Sequence, residues 1–171
     1  HNVPAFEAHT AEKIDDFFKW VFSSNETRNF DTICIDSISQ MAEIILTQEL
    51  KRNKDGRKAY GEMSRRVMEI VNALYYLPQK HIYLIAKQTV VDESGIMRKK
   101  PYFPGQDLNV KIPHLFDEIL HIGQVNIPNQ PKPVTAIRTC ETFDIMARDR
   151  SGNLSEIEPP DLSALFAKAM L

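Results

Sequence analysis

An aspartate that directly follows a short apolar run is the strongest chemical signal in the sequence. Residues 30–37 read FDTICIDS, so that Asp36 ends the run and Ser37 follows it. A carboxylate at the carboxyl end of a buried parallel strand can hold Mg²⁺, usually through water, while the ion neutralises the β- and γ-phosphates of a nucleotide. The Ser37 hydroxyl could orient a water or contact a phosphate. A strand whose last aspartate caps the next helix has the same pattern, so this motif alone leaves both interpretations open.

Three further polar positions could serve a nucleotide. Gln88 ends the strand predicted over residues 81–88, where it could sense a γ-phosphate; an ordinary polar strand end is the alternative. Arg148 and Arg150 follow another apolar run. An arginine at an edge can reach a phosphate across a subunit interface. A surface hairpin turn with a salt-bridged Arg–Asp pair fits the same residues.

A basic and aromatic segment could bind nucleic acid. Arg98, Lys99 and Lys100 are followed, after one proline, by Tyr102 and Phe103. On a loop, the three cations could grip a phosphate backbone and the two rings could stack on bases. A solvated basic turn with the aromatic rings tucked beneath it is the alternative.

The composition is typical of one globular domain. The 171 residues are 43% hydrophobic and 26% charged, which allows a sizeable core. The net charge of -2 argues against wholesale electrostatic binding to nucleic acid but allows a local basic loop. Cys34 and Cys140 both lie in apolar runs, which predicts reduced, buried thiols in a cytoplasmic protein. We expect neither a signal peptide nor a membrane span, because the apolar stretches are too short.

The predicted elements alternate as in a parallel α/β sheet. Apolar residues at helical spacing predict helices over residues 10–23, 39–50, 60–76 and 162–170. Thr10 and Asp161 are the predicted caps of the first and last helix. Apolar runs predict strands over residues 3–8, 32–36, 81–88, 119–125, 134–139 and 143–147. The strand over 32–36 is expected to be buried on both faces, and a hairpin is expected around Gly95.

Seven short segments stand in a recognisable order along the chain. They are DTICIDSIS at 31–39, AYGEM at 59–63, PQKHI at 78–82, PYFPG at 101–105, IPHLFDE at 112–118, ARDRSGNL at 147–154 and EPP at 158–160. This order resembles that of the phage nucleotide-binding proteins with a RecA-like core, a group that includes single-strand-annealing recombinases. No single segment is very specific, but their order is, and it spans nearly the whole chain.

The resemblance implies a RecA-like α/β fold, with a mainly parallel sheet flanked by helices and antiparallel late strands, in one core domain over residues 1–171. It implies a P-loop NTPase that binds ATP and Mg²⁺ and acts on single-stranded DNA in bacteriophage recombination or replication. Assembly into a homo-oligomeric ring or filament, in the host cell cytoplasm and away from membranes, is implied as well.

The resemblance also assigns roles to individual residues. Asp36 matches the Mg²⁺-site aspartate of the second nucleotide motif, the Walker B motif. Gln88 matches the polar strand-tip position, where relatives often carry histidine. Arg148 and Arg150 match the basic residues that face a neighbour's nucleotide.

The glycine-rich phosphate loop of that family is not among these residues. None of the six glycines forms GxxxxGK[ST], and the acidic residue that positions the attacking water is not found either. We expect that the loop precedes His1 in the intact protein, which would then be an Mg²⁺-dependent ATPase. The alternative is a non-catalytic RecA-like scaffold or partner-binding module.

Overall fold

The computed structural model describes residues 3–128 and 131–171. These residues divide into two compact units. The first unit holds residues 3–87 and 102–112, and the second holds 88–101, 113–128 and 131–171. That the whole chain forms a single RecA-like core domain stays a prediction.

Helices and strands alternate along the described chain. Its five α-helices are α1 (Ala11–Ser23), α2 (Ile38–Arg52), α3 (Gly56–Tyr75), α4 (Gln106–Leu115) and α5 (Leu162–Ala169), and a 3₁₀ helix spans Asn25–Asn29. Its nine strands are β1 (Thr32–Asp36), β2 (His81–Ile85), β3 (Gln88–Glu93), β4 (Ile96–Pro101), β5 (Glu118–Ile119), β6 (His121–Val125), β7 (Val134–Arg138), β8 (Arg148–Asp149) and β9 (Ile157–Glu158). The predicted α/β class is therefore confirmed.

Three helices build the core of the first unit. The buried side chains of α1, α2 and α3 recur at helical spacing, so each helix turns one apolar stripe inward. Helix α2 packs against both α1 and α3. The largest fully buried side chains here include Ile38, Ile45, Met63 and Leu74. No helix in the described ranges is long and apolar enough to cross a membrane.

The two predicted helix caps are confirmed. Thr10 Oγ1 accepts a hydrogen bond from the Lys13 N–H. The Asp161 carboxylate accepts hydrogen bonds from the Ser163 and Ala164 N–H groups. Each cap satisfies backbone donors that have no partner within the helix, which fixes where α1 and α5 begin.

Strands β1 and β2 are parallel and end level with each other. Their register runs from Thr32 opposite His81 to Asp36 opposite Ile85. A parallel pair needs a long crossover connection, and α2 and α3 supply it. Asp36 therefore stands at the carboxyl edge of this pair, where open α/β sheets bind their ligands.

The strands of the second unit are mainly antiparallel. Hairpin β3–β4 turns at Ser94 and Gly95, whose φ angles of 57° and 87° suit the two-residue turn of a twisted hairpin. The predicted hairpin is thus confirmed. Antiparallel pairs also join β5 to β8 and β7 to both β6 and β9, as expected for the late strands. Parallel pairing in the described residues is limited to β1–β2 and one bridge, Lys99 with Ile145.

Two strand predictions are wrong. In the described part, residues 3–8 form no strand, since no described strand pairs with them. Residues 143–147 contribute only the bridge at Ile145, because a turn closed by the Thr142 N–H and the Ile145 carbonyl, 3.0 Å apart, bends the chain there.

Candidate functional site

Asp36 is exposed at the end of β1. The hydroxyl of Ser37, not the Asp36 carboxylate, caps α2 by accepting the Gln40 N–H at 3.1 Å. Among the described residues, no hydrogen bond or ion pair engages the Asp36 carboxylate. The interpretation of Asp36 as a helix cap is therefore wrong, and the carboxylate is available to a ligand.

The face of the sheet beside Asp36 is only partly covered. Within β1 the Ile33 side chain is buried, whereas Cys34 and Asp36 on the opposite face are exposed. The expectation of a strand buried on both faces is wrong, because in the described residues β1 has only β2 as a neighbour in its sheet. Buried cysteines were also wrongly expected, since Cys34 is exposed and Cys140 is half-buried.

The carboxylate of Asp36 influences the ionisable groups near it on the exposed face of β1. Partial burial, and then the negative charge of Asp36, raise the pKa of the Cys34 thiol. Burial likewise raises the pKa of Tyr83, the partner of Cys34 on β2, with smaller contributions from Cys34 and Asp36. The thiol and the phenol therefore remain protonated at neutral pH and add no charge beside Asp36.

One carboxylate at a strand edge fits the way proteins bind Mg²⁺ with a nucleotide. Mg²⁺ keeps several waters and takes one or two carboxylates together with phosphate oxygens. No group of three or more metal-ligating side chains lies together in the described ranges. Asp36 could thus hold Mg²⁺ only in company with water and phosphate, and it does not form a metal cage.

A buried serine, Ser39, ties together two chain segments of the first unit. Its hydroxyl donates to the Tyr102 carbonyl at 2.5 Å and accepts the Lys87 N–H at 2.9 Å. The Tyr102 N–H in turn donates to the Lys87 carbonyl at 2.7 Å. Ser39 was missed in the sequence because a serine in the first turn of a helix is ordinary, and its partners lie 48 and 63 residues away.

The sequence placed Gln88 at the tip of β2, but this prediction is wrong. Strand β2 ends at Ile85 because the Lys87 N–H turns to Ser39 instead of continuing the ladder. Gln88 begins β3 in the second unit, where its Oε1 lies 2.8 Å from His121 Nε2. Burial, more than nearby cations, lowers the pKa of His121. The neutral imidazole therefore donates to the Gln88 amide oxygen.

The basic segment lies on strand β4, so the prediction of a loop is wrong. Arg98 and Lys100 point to one face of the hairpin and Lys99 to the other, as strand alternation requires. Phe103 is 3% exposed, so its ring cannot stack on a base. Tyr102 is half-buried and its backbone is bound on both sides, as described above.

Each of these cations is ion-paired with a carboxylate of the second unit. The pairs are Arg98 with Glu93 and Glu141, Lys99 with Asp144, and Lys100 with Glu93. The basic segment therefore does not present three free positive charges.

Arg148 and Arg150 have different surroundings. The Arg148 guanidinium donates to two backbone carbonyls of residues 113–116, at 2.5 and 2.6 Å, and burial lowers its pKa. The Arg150 side chain is 42% exposed, donates to the His114 carbonyl at 2.9 Å and lies 3.7 Å from the Asp117 carboxylate. Arg148 thus anchors its own unit, whereas Arg150 can exchange a weak partner for another anion.

Asp149, which stands between these two arginines in the sequence, forms a carboxyl pair with Glu118 of β5. Glu118 stands opposite Asp149 in the β5–β8 pair. Burial, followed by the hydrogen bond to Asp149, raises the pKa of Glu118 to about 7. Hydrogen bonds from Ser151 and from the Leu154 N–H help to keep Asp149 ionised. No sequence pattern predicts this pair, since residues 118 and 149 are brought together only by the fold.

Replacing Glu118 by Gln should stabilise the protein at neutral and higher pH. The folded pKa of Glu118 lies above the ordinary value of 4.5, so the folded protein keeps a proton that the unfolded chain releases, and stability falls as the pH rises from about 4.5 to 7. The glutamine side chain does not titrate, so the stability of the variant does not fall with pH at this position. After allowance for solvent screening we expect a gain of about 1 kcal/mol at pH 8 and none at pH 4.

Urea unfolding at a series of pH values measures this difference. Glu156→Gln, at an exposed position outside the pair, is the matched control and should show no such trend. A pH-independent effect of Glu118→Gln would contradict the assignment.

Comparison with known protein families identifies a family that matches most of the chain. A family model described as an AAA domain matches residues 2–151. No curated protein and no solved structure shows a significant match. The matched range covers most of the chain and includes both the β1 strand and Arg150. The chain belongs to the AAA domain family, a P-loop NTPase-like family whose members typically bind nucleotide with Mg²⁺.

Proposed function

We propose that this protein is a RecA-like ATP-binding protein that acts on single-stranded DNA in phage recombination or replication. One observation carries the nucleotide part: Asp36 presents a free carboxylate at the carboxyl edge of β1, in a chain of the AAA domain family. The order of the seven sequence segments supports the phage and DNA parts. Assembly into a ring or filament belongs to the same proposal.

In this proposal Asp36 holds Mg²⁺ through water, and the ion bridges the β- and γ-phosphates of ATP. Ser37 keeps the start of α2 beside Asp36 through its cap on Gln40. A γ-phosphate-sensing role for Gln88 stays a prediction; it requires the Gln88 amide N–H groups, since the amide oxygen already accepts from His121. Hydrolysis requires a phosphate loop, which the 171 residues do not contain, so it is proposed for the intact protein.

Arg150, not Arg148, is the residue that we assign to a neighbour's nucleotide. The Arg148 guanidinium is bound to two carbonyls and is half-buried, whereas Arg150 is exposed and has one carbonyl partner, that of His114, beside the more distant Asp117 carboxylate. An arginine supplied in trans stabilises the charge of the transferring phosphoryl group and is worth about 10³–10⁵ in turnover. In a ring or filament, each subunit would complete the site of the next.

Replacing Arg150 by Ala should therefore lower turnover by about a thousandfold while changing the affinity for ATP only slightly. Arg57→Ala, at an exposed position on α3, is the control and should retain activity. Mixing the Arg150→Ala and Asp36→Asn variants should restore part of the activity, because some interfaces then contain both intact residues. A mixture that stays inactive would rule out action in trans.

The DNA part of the proposal rests on the cations of β4. Replacing Arg98, Lys99 and Lys100 together by Ala should weaken binding to single-stranded DNA. The slope of log affinity against log salt concentration should become less steep by up to about 2. A control that removes three exposed cations of the other unit, Lys51, Lys54 and Lys58, separates local contact from net charge. Equal losses in both variants, or no loss in the first, would contradict a DNA-binding role for β4.

The experiment that tests the function as a whole is an assay of ATP hydrolysis by the intact protein with Mg²⁺ and single-stranded DNA. We expect hydrolysis that stops when Mg²⁺ is chelated. The absence of GxxxxGK[ST] from the 171 residues favours a second candidate, a non-catalytic RecA-like scaffold. Binding of DNA or a partner without any Mg²⁺-dependent affinity for ATP would support that candidate instead.

A further inference from the structure

Residues 141–146 run alongside β4 and are held there by its backbone. The Lys99 N–H donates to the Asp144 carbonyl at 2.7 Å, and the Met146 N–H donates to the Lys99 carbonyl at 2.9 Å. The turn between Thr142 and Ile145 gives this segment its shape. All of these residues belong to the second unit, so the contact is internal to that unit.

The acidic side chains of the segment lie on the cations of β4. The Glu141 carboxylate is bound to Arg98, and Asp144 Oδ2 lies 3.5 Å from Lys99 Nζ. The Thr142 hydroxyl donates to Asp144 Oδ1 at 3.1 Å and so orients the carboxylate. These are the positions that phosphate oxygens would take if the cations bound a nucleic-acid backbone.

The segment also carries an exposed aromatic ring between its two acids. Phe143 is 76% exposed and stands between Glu141 and Asp144 in the sequence. Along the chain the two carboxylates thus flank an exposed aromatic ring, with Thr142 between Glu141 and Phe143.

We propose that residues 141–146 are an autoinhibitory mimic of single-stranded DNA, which covers the β4 cations until a phosphate backbone displaces Glu141 and Asp144. The inference rests on the proposed function, since it presumes that β4 binds DNA. Beyond that function, the mimic means that the chain itself regulates the access of DNA to the β4 cations. Glu93, which also pairs with Arg98 and Lys100, belongs to the hairpin and stays in place.

A polyanion such as DNA can displace the ion pairs that Glu141 and Asp144 form with the β4 cations. The Glu141 and Asp144 side chains are 61% and 50% exposed, and exposed ion pairs are weak. Two backbone hydrogen bonds at Lys99 and the buried side chain of Ile145 keep the backbone of the segment in place, so that only the side chains of Glu141 and Asp144 need to move. Arg98 and Lys99 leave β4 on opposite faces, yet both reach acids of this one edge segment. A DNA strand along the same edge can therefore replace both pairs and release counterions.

The test compares Glu141→Gln/Asp144→Asn with the unaltered protein, using a fluorescein-labelled oligo-dT probe. We expect the variant to bind on the order of tenfold more tightly. The dependence of log affinity on log salt should steepen by about 1.4, since two cations now carry counterions that DNA releases. Asp16→Asn/Glu156→Gln removes the same charge at exposed positions on other segments and should leave both quantities nearly unchanged.

Two outcomes overturn the mimic. Equal gains in both double variants would show a general charge effect, and no gain in Glu141→Gln/Asp144→Asn would show that the segment does not compete with DNA. In the second case, loss of binding on replacing the β4 cations by Ala would leave the proposed function standing. Unchanged binding in that alanine variant would remove the role of β4 in DNA binding and the mimic together. Circular dichroism and urea midpoints confirm that each variant is folded.

Discussion

Replacing Asp36 by Asn in the intact protein is expected to lower Mg²⁺-dependent ATP hydrolysis by at least about a hundredfold. A metal ion at the transferring phosphate contributes several kcal/mol to the transition state, and the asparagine amide lacks the charge that retains the ion. Stability should change by less than about 0.5 kcal/mol, because the side chain is exposed and no described residue bonds to it. Steady-state hydrolysis and urea unfolding measure the two effects separately.

The matched control for this substitution is Asp31→Asn. Asp31 is exposed just before β1, and its backbone carbonyl, which the substitution keeps, accepts the His81 N–H at 2.9 Å. Hydrolysis should be unaffected there. Hydrolysis that survives in Asp36→Asn, or that falls equally in both variants, would contradict the assignment of the Mg²⁺ site to Asp36.

Replacing Arg66 by Met should destabilise the first unit by about 3 kcal/mol. Arg66 on α3 is 15% exposed and lies 2.9 Å from Glu49, which is 7% exposed on α2. It also donates to Gln48 at 2.6 Å and to Asp15 of α1 at 3.0 Å. One guanidinium therefore ties three helices together, and its loss leaves a buried carboxylate without its principal partner.

The neighbouring Arg65 provides the control, since its side chain is 56% exposed and pairs with Glu62 and Glu69 on the same helix. Arg65→Met should have a much smaller effect on stability, because exposed ion pairs are weak. Combining Arg66→Met with Glu49→Met should recover part of the lost stability, because the buried charge is then absent as well. Equal free energies of unfolding for the two single variants would refute this account of the helix contacts.

Local patterns predicted the parts of the fold that local physics decides. The bounds of β1 and the caps of α1 and α5 follow from runs of apolar residues and from side chains that satisfy nearby backbone donors. The hairpin at Gly95 follows from a turn that needs positive φ. Each of these depends on residues close in the sequence.

Errors arose where a distant partner decides the structure. Strand β2 ends early because the Lys87 N–H finds Ser39, and no local pattern contains that bond. The basic residues of β4 read as a turn, yet pairing with β3 and carboxylates such as Glu141 hold them in a strand.

The same division applies to the candidate site. That a carboxylate ends β1 could be predicted from the run before Asp36. The burial of Phe103 and the carbonyls that bind Arg148 could not, because they depend on how separate segments pack. Distinguishing Arg150 from Arg148 therefore required the structure.

Asp36 as the Mg²⁺-site residue is the central claim, and the affinity of the intact protein for ATP with and without Mg²⁺ tests it most directly. We predict that Mg²⁺ tightens ATP binding by the unaltered protein and has little effect on Asp36→Asn, while both proteins bind ATP equally without the ion. The same gain from Mg²⁺ in both proteins would contradict the claim.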